Sequence, residues 1–176
     1  MPERLRSSVV SDAITVRRAR TRDVRAVKAL VDLYASKDIL LEKDLVNLYE
    51  TVQEFWVAEL DGVLVGCGAL HVLWEDLAEI RTVAVDPSVR GKGVGGAIVR
   101  QLVDVANQLG LLRIFVLTFE SHFFQRHGFV EIQGTPVTPE IYEEIRRSPD
   151  AGVAEFLDLP YVKPNTLGNT RMLLEL

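Results

Sequence analysis

The chain has a single cysteine, Cys67, among 176 residues, so no internal disulfide can form. That usage suits a reducing compartment. Cys67 lies between Gly66 and Gly68 in an apolar run, with no flanking His or Arg to activate it; it reads as a buried structural thiol rather than a nucleophile. No apolar run approaches the roughly 20 residues of a membrane span. The opening, MPERLRSSVVSDA, lacks the apolar core of a signal peptide. The expectation is a cytoplasmic protein with a disordered tail over residues 1–13 and one domain over 14–176. A basic excess is missing too: 20 Lys and Arg stand against 25 Asp and Glu, a net charge of −5. This argues against nucleic acid as the partner. The arginines at 17, 18, 20, 22 and 25 read as a solvated face. The three histidines show no ligand-like spacing, so no metal is expected.

What the chain does have is apolar content, 48%, enough to bury a core without staples. ITVRRA (14–19) reads as a first strand, and Thr21 as the cap of a helix carrying Val24, Val27, Leu30, Val31 and Tyr34. A second helix fits Leu41, Leu45, Leu48, Tyr49 and Val52. Two apolar runs flank Asp61-Gly62, a hairpin signal. EIRTVAVD is a further strand, followed by a helix with Ile98, Leu102, Val105 and Leu109 on one face and Gly110 at its stop. LRIFVLTF is a strand, ESHFFQRH a short helix ended by Gly128, and Thr138-Pro139 opens another helix. AEFLDL and TRMLLEL read as strand-like pieces of a C-terminal extension. The order β-α-α-β-β-β-α-β-α-β implies an α/β protein whose mixed sheet contains an antiparallel hairpin.

The most informative stretch is VAVDPSVRGKGVGG. Gly91, Gly93, Gly95 and Gly96 crowd the start of a helix, where glycine is otherwise costly. The match to G-x-G-x-x-G fails as a dinucleotide site, because five residues separate it from its strand and most of the sheet precedes it. A P-loop fails because Gly93, not Ser or Thr, follows Lys92. Backbone N–H groups of residues 90 to 96 and the positive end of the helix dipole would suit a pyrophosphate.

Arg90-x-x-Gly93-x-Gly95, preceded by VAVDP, resembles the acetyl-coenzyme A signature of the GCN5-related N-acetyltransferase (GNAT) family. LLEKDLVNLYETVQEFWVAE, VGCGALHVLWEDLAEIRTVAVDP, FFQRHGF and LDLPYVKPNTLGNTRMLLEL look like the short amino-acid N-acetyltransferases that serve as N-acetylglutamate synthases in arginine biosynthesis. The resemblance implies the GNAT fold, with helices on both faces of a mixed sheet, and acetyl-CoA as co-substrate. It implies a small amino-acid acceptor, L-glutamate or L-glutamine, and a homodimer. Another amine, or a non-catalytic module that senses acetyl-CoA, are the alternatives. With no Ser-His-Asp pattern and no activated cysteine, direct attack is favoured over an acyl-enzyme.

By the same resemblance Glu79 is the general base and the Val83 N–H the oxyanion donor. Val83, Ala84 and Val85 would pair with the pantetheine arm, which needs a splayed strand and a bulge. Arg90, Gly91, Lys92, Gly93, Val94, Gly95 and Gly96 would hold the pyrophosphate. Phe124 stands where relatives often carry a Tyr that protonates the leaving thiolate, so either no acid acts or Ser121, His122 or His127 helps; His127 reads first as a residue facing water. Arg81 shares the sheet face of Glu79 and is a candidate for the substrate carboxylate. Lys163, Asn165 and Arg171 are further candidates, and the segment around Lys37 and Lys43 would close the opposite side.

Overall fold

The computed structural model describes residues 13–162 and 168–176; residues 1–12 of the expected tail, and Lys163 and Asn165, lie outside the described residues. Asp61 and Gly62 both have positive φ, 51° and 80°, the backbone a two-residue hairpin needs. They join β2 (Phe55–Leu60) to β3 (Val63–Trp74), and β4 (Leu77–Val85) follows antiparallel to β3. β1 (Ile14–Arg18) flanks β2. β5 (Arg113–Thr118) runs parallel to β4, and β7 (Thr170–Glu175) lies antiparallel to β5 and to the two-residue β6 (Val130–Glu131). The seven strands are ordered β1-β2-β3-β4-β5-β7-β6, the mixed sheet expected.

α3 (Val94–Gln108) packs on one face through Val94, Ile98, Val99, Leu102, Val105 and Ala106. Gly68 makes that approach feasible: a Cβ there would lie 2.7 Å from Ile98 Cγ2. α1 (Val24–Ala35) and α2 (Leu45–Glu50) build a second core against Phe55, Val57, Cys67 and Ala69. α4 (Ser121–Gln125) precedes β6. α5 (Pro139–Ile145) and α6 (Ala151–Phe156) pack with Leu77, Phe115 and Leu173 in a third.

Several local expectations are corrected. Thr21 does not cap α1; a 3-10 turn over Thr21–Asp23 precedes the helix, and Asp23 accepts the Arg20 N–H at 2.7 Å. The arginine cluster is not all solvated, since Arg17 is held between Asp23 and Glu59. The second helix starts at Leu45, because the chain stays irregular through residues 41–44. Leu109 falls just beyond α3 and is 58% exposed. AEFLDL is not a strand. Asp150 accepts the Val153 N–H at 2.9 Å and starts a helix, and residues 152–157 are all buried, so neither period shows in the sequence.

Two irregularities in β4 shape the site. Ala69 pairs with Arg81 and Cys67 with Ala84, so Thr82 and Val83 together face Gly68 alone. This is a β-bulge, with Thr82 at φ 59°. The extra residue exchanges the faces of the strand. Before it, Ala78 and Ile80 belong to the α3 core; after it, Val83 and Val85 pack there. The Cys67 thiol donates to the Thr82 carbonyl at 3.6 Å, and burial pushes that thiol up to about 12. The second irregularity is a divergence. β4 pairs with β5 only from Leu77 to Glu79, and the strands separate beyond.

Candidate active site

Glu79 ends the paired segment of β4 and is 5% exposed. With Arg81 it points away from α3, into a cleft of about 640 Å³ that Lys43, Thr82, Leu117, Gly152 and Glu155 also line. Arg81 Nε lies 3.4 Å from Glu79 Oε2, and Arg81 Nη1 donates to Asp150 at 2.7 Å. Glu79 Oε2, Arg81 Nε and Arg81 Nη2 are buried with no hydrogen-bond partner among the described residues. Glu79 and Arg81 face each other at ion-pair distance yet these buried atoms make no hydrogen bond, so they call for a polar ligand of matching charges.

Burial pushes the Glu79 carboxyl up; the charges of Arg81, His71 and Lys43 oppose the rise and Asp150 adds to it. Lys43 is drawn down by burial and by the Arg81 charge. Glu155 is raised to about 7, by burial first and by the Glu79 charge second. A raised carboxylate in a cleft is equipped to accept a proton near neutral pH.

Above the cleft, Gly91 and Gly93 adopt positive φ of 84° and 85°, and α3 begins at Val94. The N–H groups of Gly91, Gly93, Val94, Gly95 and Gly96 meet no backbone acceptor among the described residues. Such a run of free donors at a helix start fits a pyrophosphate. Arg90 is exposed beside it and forms a 3.6 Å surface pair with Glu120. Ala84 is buried on the α1 side, and the Val85 carbonyl accepts from the Tyr34 hydroxyl.

Other expected site residues stand apart. Phe124 is 4% exposed and packs edge-on against Phe123 and Phe129 in the α3 core. Phe123, one residue earlier, is the ring beside Gly95, 3.4 Å from where its Cβ would be. His127 does not simply face water: it leans on the Phe123 ring, and burial with the charges of Arg100 and Arg126 draws it down. Arg171 donates to the carbonyls of Gly134, Glu155 and Phe156 and covers the Phe115 ring. It therefore holds the end of α6 and does not line the cleft. Sequence reasoning missed Asp150 and Gly152, which lie just before the segment misread as extended, and Glu155 within it. The signal was there in Asp150 as a cap followed by Val153, Phe156 and Leu157 at helical spacing.

Free donors for a pyrophosphate, a strand edge opened by divergence and a buried acid–base pair describe a protein that takes a group from a nucleotide-borne carrier. The chain belongs to the acetyltransferase (GNAT) family, whose model matches residues 24–129. It is 70% identical over 164 residues to the amino-acid acetyltransferase of Mycobacterium tuberculosis, covering 92% of this chain and 94% of that protein. The crystal structure of Rv2747 from Mycobacterium tuberculosis in complex with CoA and NLQ superposes with a TM-score of 0.90 at 68% identity, over 92% of this chain and 99% of that one. The N-acetylglutamate synthase from Neisseria gonorrhoeae complexed with coenzyme A and N-acetyl-glutamate shares the fold, with a TM-score of 0.74 at 24% identity; it covers 94% of this chain and 36% of that one.

Proposed function

We propose that this protein is an amino-acid N-acetyltransferase that moves the acetyl group of acetyl-CoA to the α-amine of L-glutamate or L-glutamine, the first step of arginine biosynthesis. The observation that carries the reading is the pair Glu79 and Arg81, with three buried polar atoms that make no hydrogen bond among the described residues, where β4 leaves β5. An amino acid offers both charges these atoms lack. Its carboxylate fits Arg81 Nη2 and Nε, with Lys43 across the cleft, and its ammonium fits Glu79. The high identity to an amino-acid acetyltransferase along nearly its whole length supports the same assignment. A cytoplasmic setting and a homodimer belong to this proposal.

The reaction proceeds by direct attack in a ternary complex. Glu79 takes a proton from the substrate ammonium, directly or through water. The free amine forms a C–N bond to the thioester carbon, and the carbonyl electrons move to oxygen, to which the Val83 N–H at the bulge donates a hydrogen bond. The carbonyl then re-forms as the C–S bond breaks with its electron pair leaving on sulfur, and the nitrogen gives up its extra proton to solvent. Phe124 carries no hydroxyl to protonate that thiolate, which leaves unassisted from this position. Residues 90–96 hold the pyrophosphate, and Val83 to Val85 guide the arm toward the cleft.

Incubation with acetyl-CoA and a panel of amino acids, recording thiol release, tests the reading; no turnover with any amino acid would overturn it. Glu79→Gln should lower kcat by about 10²–10⁴-fold while CoA binding, followed by calorimetry, stays within error. A non-catalytic sensor would show no rate to lose.

A further inference from the structure

The Arg81 guanidinium is seated from one side by the start of α6. Nη1 donates to Asp150 Oδ1 at 2.7 Å, and that same oxygen accepts the Val153 N–H at 2.9 Å, capping the helix. Gly152 completes the seat: a Cβ there would lie 2.6 Å from Nη1 and 3.0 Å from Cζ. One nitrogen of the fork is thus fixed by α6, while Nη2 and Nε are left buried and open. Without Asp150, the closest anion to the guanidinium is Glu79, 3.4 Å from Nε. A freed Arg81 would tighten that 3.4 Å ion pair into hydrogen bonds, closing the carboxylate site and weakening the base together.

We infer that Asp150 and Gly152 are positioning residues: the first turn of α6 keeps Arg81 at ion-pair distance from Glu79, short of a hydrogen bond, so that the guanidinium stays open to the substrate carboxylate and Glu79 can still take the proton. This rests on the amino-acid acetyltransferase reading above.

The charged groups facing Glu79 fix the direction of the pH test. They are Arg81 on its own strand, His71 on the neighbouring β3, Lys43 before α2, Asp150 at the cap of α6 and Glu155 within it; the charge of Arg171 on β7 acts from outside the cleft. Asp150 raises Glu79, and it also offsets Arg81, which lowers Glu79. Removing its charge therefore lowers Glu79 by both routes.

The test compares wild type, Asp150→Asn and Gly152→Ala, with kcat and both KM values measured across pH. Asn is as good a helix cap as Asp, and Ala is favoured over Gly within a helix, so neither change removes the fold's local support. In Asp150→Asn the acidic limb of the kcat/KM profile should move to lower pH, and KM for the amino acid should rise about tenfold or more. KM for acetyl-CoA and the melting temperature should hold. In Gly152→Ala, which displaces Arg81 without removing charge, KM for the amino acid should rise with the limb in place. An unmoved limb in Asp150→Asn, an unchanged amino-acid KM in either variant, or an equal rise in both KM values would overturn the inference. A wild type that turns over no amino acid would instead overturn the function it rests on.

Discussion

Glu155 is the residue whose behaviour departs most from its neighbours. It is 9% exposed, in a cleft it shares with Glu79, and its carboxyl is raised to about 7. The folded protein therefore keeps a proton there that the unfolded chain has released. The stability this costs is absent below the ordinary value of 4.5 and builds up as pH rises to about 7, where the folded group also ionises. Glu155→Gln removes the titration, so its melting temperature should fall less than the wild-type one between pH 5 and 7.5. Parallel slopes for the two proteins would refute the environment described for this carboxylate. Glu79, expected from the family resemblance, and Arg81, two residues on along the same strand, both line the cleft. Glu155 could not be read from the sequence, because its partners come from β4 and the segment before α2, more than 70 residues away, and nothing local marks them.

Among the elements, α3 is the one the sequence specified best. Its apolar stripe from Ile98 to Val105, its glycine-rich start and the Gly110 stop are all in place. The same helix shows why β3 carries Gly-Cys-Gly. Gly68→Ala places a methyl 2.7 Å from Ile98 Cγ2, in a layer with no spare volume. It should cost about 1–3 kcal/mol in urea unfolding. A Gly68→Ala protein as stable as wild type would show that α3 sits further from the sheet. α6 is the opposite case. Six consecutive buried residues erase the contrast between inside and outside on which both helical and strand periods depend. Only its capping aspartate distinguishes it, and a cap is a weaker mark than a stripe.

For the whole molecule, the architecture was legible because the order of elements allows few solutions: a hairpin, a third antiparallel strand and then one crossover helix. The divergence of β4 from β5 was not, since it depends on which residues stop pairing. Among the described residues no helix is long and apolar enough to cross a membrane. The phosphate grip and the open strand edge together make a prediction for the entire chain. CoA at a hundred times its dissociation constant should add about 2.7 kcal/mol of stability, raising the melting temperature by about 5–10 °C. NAD at the same concentration should leave it unchanged, because the glycines do not follow the first strand of a dinucleotide fold. A comparable shift with NAD would overturn that distinction.

Thr82 has a consequence for anyone who would alter this protein. A β-branched residue at φ 59° is held where the backbone resists it, a conformation worth roughly 1–3 kcal/mol of strain. A search for thermostable variants that scores the fold alone will choose glycine or asparagine at this position early. It will thereby loosen the bulge that puts Glu79 and Arg81 on one face of the strand and Val83 and Val85 on the other. Robustness and turnover compete at a single backbone angle, and libraries built on this scaffold should hold that position fixed.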